Sequence, residues 1–224
     1  MLVSHLYKFI FIKSLKTAGT STEVFLEQYC ISNITEDHKR EAIATEEGII
    51  GKRGKKGTST TAYGEYWNHM KAGVLRESLG SEIFDNYTKV INVRNPFDML
   101  VSNYFFKPFY DVYSKGAILT FKEFIMTTNI LVELTDKHNR FMFIDGNFII
   151  DEAIRYENLE NDINGLISKL EMPPSQRSLG YYKKSKRRDD SVHYSTMYDS
   201  ETREFVEEVM KDYLERFDYK FENN

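Results

Sequence analysis

Cysteine is nearly absent: Cys30 stands alone among 224 residues, so the chain can form no intrachain disulfide and no multi-cysteine metal site. An excess of positive charge is missing as well. Lys and Arg number 30 against 34 Asp and Glu, for a net charge of -4. A surface that coats nucleic acid is therefore not expected, and a polyanion would have to be held by a local basic patch. No apolar run approaches the ~20 residues of a membrane-spanning helix. Near the start, LYKFIFI is only a strand's length, interrupted by Lys8 and followed by Lys13. That region also lacks the small-residue cleavage site of a secretory signal, so a cytoplasmic protein with no membrane span is expected. Internal repeats and low-complexity tracts are absent too.

What remains is a chain rich enough in hydrophobic (41%) and aromatic (14%) residues to build a core. Its length suits a single domain, residues 1–224. Tyr7 to Ile12 reads as a strand and Thr20 to Tyr29 as a helix, with another strand over Glu41 to Glu47. Helices are predicted over His69 to Leu79, Phe121 to Thr128, Leu159 to Leu170 and Ser200 to Phe217. Arg140 to Ile144 and Phe148 to Ile150 read as strands about the turn Asp145-Gly146-Asn147. Strands alternating with helices predict an α/β fold with a mainly parallel central sheet flanked by helices. A glycine- and lysine-rich stretch at about 48–64 reads as a mobile loop, and 181–192 as a basic loop.

Two segments carry chemistry. In FIFIKSLKTAGTS, residues 9–21, an apolar strand enters a glycine-containing turn and then a helix. Such a junction gathers backbone N–H groups and the positive end of a helix dipole around one anion. Lys16 adds a charge, and Thr17, Thr20 and Ser21 add hydroxyls. The turn is not a Walker A loop, whose lysine follows the last glycine; Lys16 precedes Gly19 by three residues. The competing interpretation is an ordinary strand-to-helix turn with a solvated lysine.

The second segment, VINVRNPFDMLVSNYFF, starts as a buried strand and breaks at Arg94-Asn95-Pro96. Asn95 is a good N-cap and Pro96 is favoured at the first helical position. Ser102 lies two turns on from Asn95, so Arg94 and Ser102 could grip one anion. Alternatively, Arg94 pairs with Asp98 and Ser102 is a small packing residue.

Together the two segments resemble sulfotransferases that use 3'-phosphoadenosine 5'-phosphosulfate, in particular the carbohydrate-type branch with the heparan 2-O-sulfotransferases and compact bacterial relatives. Lys16, Thr17, Ala18, Gly19, Thr20 and Ser21 match the family's 5'-phosphosulfate turn, with Leu15 where relatives commonly carry proline. Arg94, Asn95, Pro96 and Ser102 match its 3'-phosphate motif. WNHMKAGVLRESLGSEIFDNY resembles the segment in which a histidine opens a helix, and IRYENLENDINGLISKL the strand and helix after it. KKSKRR and the residues from His193 onward resemble the closing loop and terminal helix, with Lys183 where relatives often show asparagine.

The resemblance implies a P-loop-like three-layer fold, the phosphosulfate nucleotide as co-substrate, adenosine 3',5'-bisphosphate as product, and no metal. It implies an acceptor hydroxyl on a carbohydrate, and the lysine-rich loops suit an anionic glycan. Lys16 would stabilise the leaving bridging oxygen, and His69 would act as the base, taking a proton near pH 7. Ser185 and Lys186 would close over the 3'-phosphate. His5, His38, His138 and His193 compete for the role of base, and Glu157 could orient acceptor or base. Two other functions stay open: a P-loop-type nucleotide kinase, and a non-catalytic nucleotide- or glycan-binding module.

Overall fold

The computed structural model describes residues 1–35, 41–53, 66–175, 177–180, 182, 189 and 191–223. Its strands are β1 (Leu2–Ser4), β2 (Phe9–Ile12), β3 (Ile43–Ala44), β4 (Gly48–Ile50), β5 (Thr88–Val93), β6 (Phe143–Ile144), β7 (Asn147–Phe148) and β8 (Glu152–Arg155). The helices are α1 (Gly19–Leu26), α2 (Ala72–Leu79), α3 (Ser81–Asn86), α4 (Pro96–Phe105), α5 (Lys107–Ser114), α6 (Phe121–Thr127), α7 (Ile130–Met142), α8 (Leu159–Lys169), α9 (Ser200–Val209) and α10 (Lys211–Phe217). They divide into two compact units, Met1–Val93 with Asn139–Lys183, and Arg94–His138 with Lys184–Asn224.

The first unit is mixed α/β around a sheet of order β3-β4-β1-β2-β5-β8. Its parallel part is smaller than the sequence suggested. Only β2, β5 and β8 run parallel, whereas β1 pairs antiparallel with β2 and β4, and β3 antiparallel with β4. Chain length explains the difference. The β1–β2 and β3–β4 connections, residues 5–8 and 45–47, are too short for a parallel crossover, which needs a dozen or more residues. All four residues of β2 are buried. Phe9 and Phe11 face a core completed by Phe25 and Leu26 of α1, Val90 of β5 and Ile163 of α8.

Several expectations shift at element ends. The strand expected at Arg140 is the last turn of α7, and only Phe143–Ile144 pairs with Asn147–Phe148. Asp145 and Gly146 link them with positive φ of 51° and 78°, as a two-residue hairpin requires. The loop expected from residue 48 begins with strand β4 and continues through a buried Arg53; residues 54–65 lie outside the described residues. Of the basic loop at 181–192, only Tyr182, Asp189, Ser191 and Val192 are described.

The second unit is helical among its described residues. Asn95 caps α4, its Oδ1 accepting from the Phe97 N–H at 3.1 Å, with Pro96 at the first helical position as expected. Thr120 and Asp199 cap α6 and α9, each in a reciprocal capping box. The terminal helix breaks at Met210 into α9 and α10. Phe97 meets Phe221 edge-on at 4.9 Å, and Phe121 meets Tyr198 at the same separation, so aromatic contacts carry much of this unit's core.

Candidate functional site

Six residues, Lys13 to Ala18, separate β2 from α1. Lys16 and Ala18 both have φ of 60°, while Thr17 and Gly19 are not among the positive-φ residues, so the sign of φ alternates along 16–19. Alternation of this kind is the backbone pattern in which successive N–H groups can converge on an anion. The first intrahelical bonds of α1 run from the Ser21 and Thr22 N–H groups to the Ala18 carbonyl at 2.8 and 3.3 Å. Gly19 and Thr20 precede them, at the end of the helix where N–H groups have no intrahelical acceptor. A left-handed residue with a Cβ costs about 1–2 kcal/mol. Two within three residues is strain of the sort found at ligand sites.

Gly19 is small for a different reason. A Cβ placed there would stand 2.9 Å from Lys13 Cγ, because the lysine stem lies across the start of α1. Gly19→Ala should therefore destabilise the fold by about 1–3 kcal/mol through overpacking, read as a lower urea midpoint at unchanged slope.

Hydroxyl bonds strap the turn to the sheet. Ser14 Oγ donates to the Asn92 carbonyl at 2.6 Å. Its single proton is thereby used, so the 2.7 Å contact with Thr17 Oγ1 has threonine as donor. Asn92 Nδ2 in turn donates to Thr22 Oγ1 at 2.9 Å. Beneath the turn lies a buried ionic cluster. Glu23 of α1 accepts from Lys13 Nζ at 2.7 Å and from the Met1 ammonium at 2.6 Å, with Arg53 Nε at 3.7 Å. Arg53 also bonds Glu27. Burial alone would raise the Glu23 carboxyl, but Lys13, the Met1 ammonium and Arg53 bring it down to about 2.

His69 reaches the same strand end from another direction. Residues 66–68 run beside the continuation of β4: the Lys52 N–H donates to Tyr66 O at 3.1 Å and the Asn68 N–H to Lys52 O at 3.0 Å. His69 then adopts φ 58°, outside any helix, and α2 starts only at Ala72, so the histidine does not open the helix as expected. Its Nδ1 lies 2.9 Å from the Lys13 carbonyl oxygen. A carbonyl only accepts, so Nδ1 carries the proton and the lone pair of the neutral ring sits on Nε2. Burial, reinforced by the Lys13 charge, pushes the imidazole down to about 3 despite that bond. The unliganded ring is thus neutral throughout the physiological range, where the sequence suggested titration near 7.

The competing histidines lie elsewhere. His5 Nδ1 bonds Tyr87 Oη at 3.0 Å, and His193 Nδ1 bonds Ser195 Oγ at 2.8 Å. His138 is buried edge-on to Tyr213, and His38 lies outside the described residues. Ser185 and Lys186 also lie outside them. Tyr182, just before, donates its N–H to Ser21 Oγ at 3.2 Å. Glu157 is exposed on a short 3-10 turn.

In the helical unit, the Arg94 guanidinium is held by Asp98: Nε lies 2.7 Å and a terminal nitrogen 2.6 Å from the same Oδ2. The Arg94 N–H donates to Tyr213 Oη at 3.3 Å. Ser102 is buried one turn beyond Asp98 on α4. The arginine–aspartate pairing weighed from sequence is therefore formed.

A protein of Archaeoglobus fulgidus described as an uncharacterized protein is 31% identical over 104 residues, covering 46% of this chain and 84% of its own length. The chain belongs to that protein's family. No family model and no solved structure matches the chain. The relative's description names no activity.

Sequence reasoning missed Lys13, Ser14, Glu23 and Asn92. Lys13 was noticed only as a charge ending an apolar run. A buried acid inside a helix and a lysine directly after a fully buried strand are the available signals, but neither residue reveals its partner.

Proposed function

We propose that this chain is a cytoplasmic sulfotransferase of P-loop-like architecture that transfers a sulfuryl group from 3'-phosphoadenosine 5'-phosphosulfate to a carbohydrate hydroxyl. The observation that supports it most is the alternating backbone over Lys16–Gly19 at the start of α1, which suits a phosphosulfate better than a neutral ligand. Parallel pairing of β2 with β5 adds support, because the strands leading into the two phosphate motifs then end on the same sheet edge.

In the proposed reaction the acceptor oxygen attacks sulfur, the bond from sulfur to the bridging oxygen breaks, and its electron pair leaves on the 5'-phosphate of adenosine 3',5'-bisphosphate. Lys16 and the turn's N–H groups stabilise that growing charge, a task for fixed donors in a water-poor site. His69 accepts the hydroxyl proton at Nε2. The bound donor's negative charge raises the basicity of the imidazole above its unliganded level. Thr17, Thr20 and Ser21 complete the 5' grip, and Arg94 and Ser102 take the 3'-phosphate. Ser185 and Lys186 are proposed to close over the 3'-phosphate. An anionic glycan is the acceptor the lysine-rich loops would favour.

Adenosine 3',5'-bisphosphate should raise the melting temperature well beyond ATP at equal concentration, since a selective ligand stabilises by mass action. Equal shifts would favour a kinase-like site. Arg94→Ala should weaken the bisphosphate by about 1.5–3 kcal/mol, roughly ten- to hundredfold in Kd, measured by calorimetry. An unchanged Kd would remove Arg94 from the 3'-phosphate site.

A further inference from the structure

Lys13 does three things at once. Its carbonyl receives the His69 Nδ1–H at 2.9 Å. Its stem covers Gly19 so closely that an added methyl would stand 2.9 Å from Cγ. Its ammonium donates to Glu23 at 2.7 Å, with both side chains almost wholly buried. A lysine needed only to fill space would not be given a buried charge, because desolvating an ammonium is costly unless it is paired. Glu23 lies one turn beyond Gly19 on α1, so the ion pair ties the strand exit to the helix that follows the alternating Lys16–Gly19 turn.

We propose that Lys13 is a positioning residue for His69: its carbonyl fixes which ring nitrogen bears the proton, and its ammonium, anchored on Glu23, holds that carbonyl against α1. This rests on the sulfotransferase reading for the role of His69, but not for the geometry. The charged groups acting on the ring are the Lys13 and Met1 ammonium groups and the Glu23 carboxylate, and the Phe141 ring packs at 6.3 Å. The Lys13 charge opposes imidazolium, while the carbonyl bond favours it. Lys13→Met removes the first and keeps the peptide carbonyl.

Nitrogen-15 spectra of the imidazole groups, recorded on the full chain without ligand, test this directly. Wild-type His69 should show a protonated Nδ1 and a bare Nε2 at pH 7; the reverse tautomer overturns the proposal. In Lys13→Met the His69 midpoint should rise by about one pH unit, and turnover should fall about tenfold or more at nearly constant nucleotide Kd. A variant that merely melts earlier, with an unmoved His69 midpoint, also overturns it. Should the variant fail to fold, the wild-type tautomer alone decides. If tautomer and midpoint behave as expected but wild-type protein makes no sulfated product, the function is wrong while the Lys13–His69 coupling stands.

Discussion

His69→Ala is expected to lower turnover by about a hundred- to ten-thousandfold, the usual contribution of a positioned general base, with the Kd for adenosine 3',5'-bisphosphate nearly unchanged. The separation follows from where the histidine binds. Among the described residues its ring hydrogen-bonds the carbonyl of Lys13 rather than the Lys16–Ser21 donors proposed to hold the nucleotide. Losing that contact leaves one carbonyl short of a partner, a loss of about 1 kcal/mol in stability. Single-turnover measurements with saturating donor would isolate the chemical step. Full turnover in the variant would remove His69 from the base role, and a large loss of nucleotide affinity would make it a binding residue instead.

The same ring sets a pH expectation. In the unliganded protein the imidazole sits near about 3 rather than 6.5, so it is already in its basic form at neutrality. The profile of kcat/KM reports groups in the free protein. It should therefore lack a His69 inflection between pH 5 and 8, and the profile of kcat, where bound donor adds negative charge, should have its acid limb at higher pH than that of kcat/KM. An inflection at 6.5 in kcat/KM that vanishes in His69→Ala would contradict the half-buried, neutral ring.

Local pattern made some of this legible and left the rest hidden. The FIFI strand, the Asn95-Pro96 helix start and the helix over Leu159–Lys169 are written in adjacent residues and in the spacing of apolar side chains, and all three form where expected. The 13-residue helix α7 was missed, because the end of ILVELTDKHNRFM runs on into Phe143 and Ile144 as the apolar stretch that suggested a strand. Short connections decided sheet direction: four residues between β1 and β2 outweigh any α/β expectation of parallel pairing. In the candidate site, the glycine-containing turn was legible, but not that its left-handed residues are Lys16 and Ala18 or that the Lys13 stem requires Gly19. Pairings between residues 10 to 78 positions apart, such as Lys13–Glu23 and Ser14–Asn92, leave no periodic trace. They emerge only once strand and helix are folded together.

Glu23→Gln should destabilise the fold by about 3–5 kcal/mol, the loss typical when one partner of a buried ionic group is removed. Two ammonium groups and a guanidinium converge on this carboxylate, which has no exposure to water that could replace them. Glutamine keeps the shape but leaves Lys13 and the Met1 ammonium buried beside a neutral amide. The sign with pH follows from the depressed carboxyl. Held at about 2 in the fold against 4.5 in the ordinary state, Glu23 contributes fully above pH 4.5, and its contribution drains as pH falls toward 2. His69 acts in the same direction over a higher window: its depressed imidazole favours the fold above 6.5, and that advantage is lost as pH falls from 6.5 toward about 3. Wild-type unfolding free energy should thus decline in two overlapping stages on acidification. In Glu23→Gln the lower stage should vanish and the upper one persist, while His69→Ala should do the reverse. Urea titrations at half-unit pH intervals would resolve both limbs, and a Glu23→Gln protein as stable as wild type at pH 7 would mean the buried cluster is not what secures α1 to the strand end.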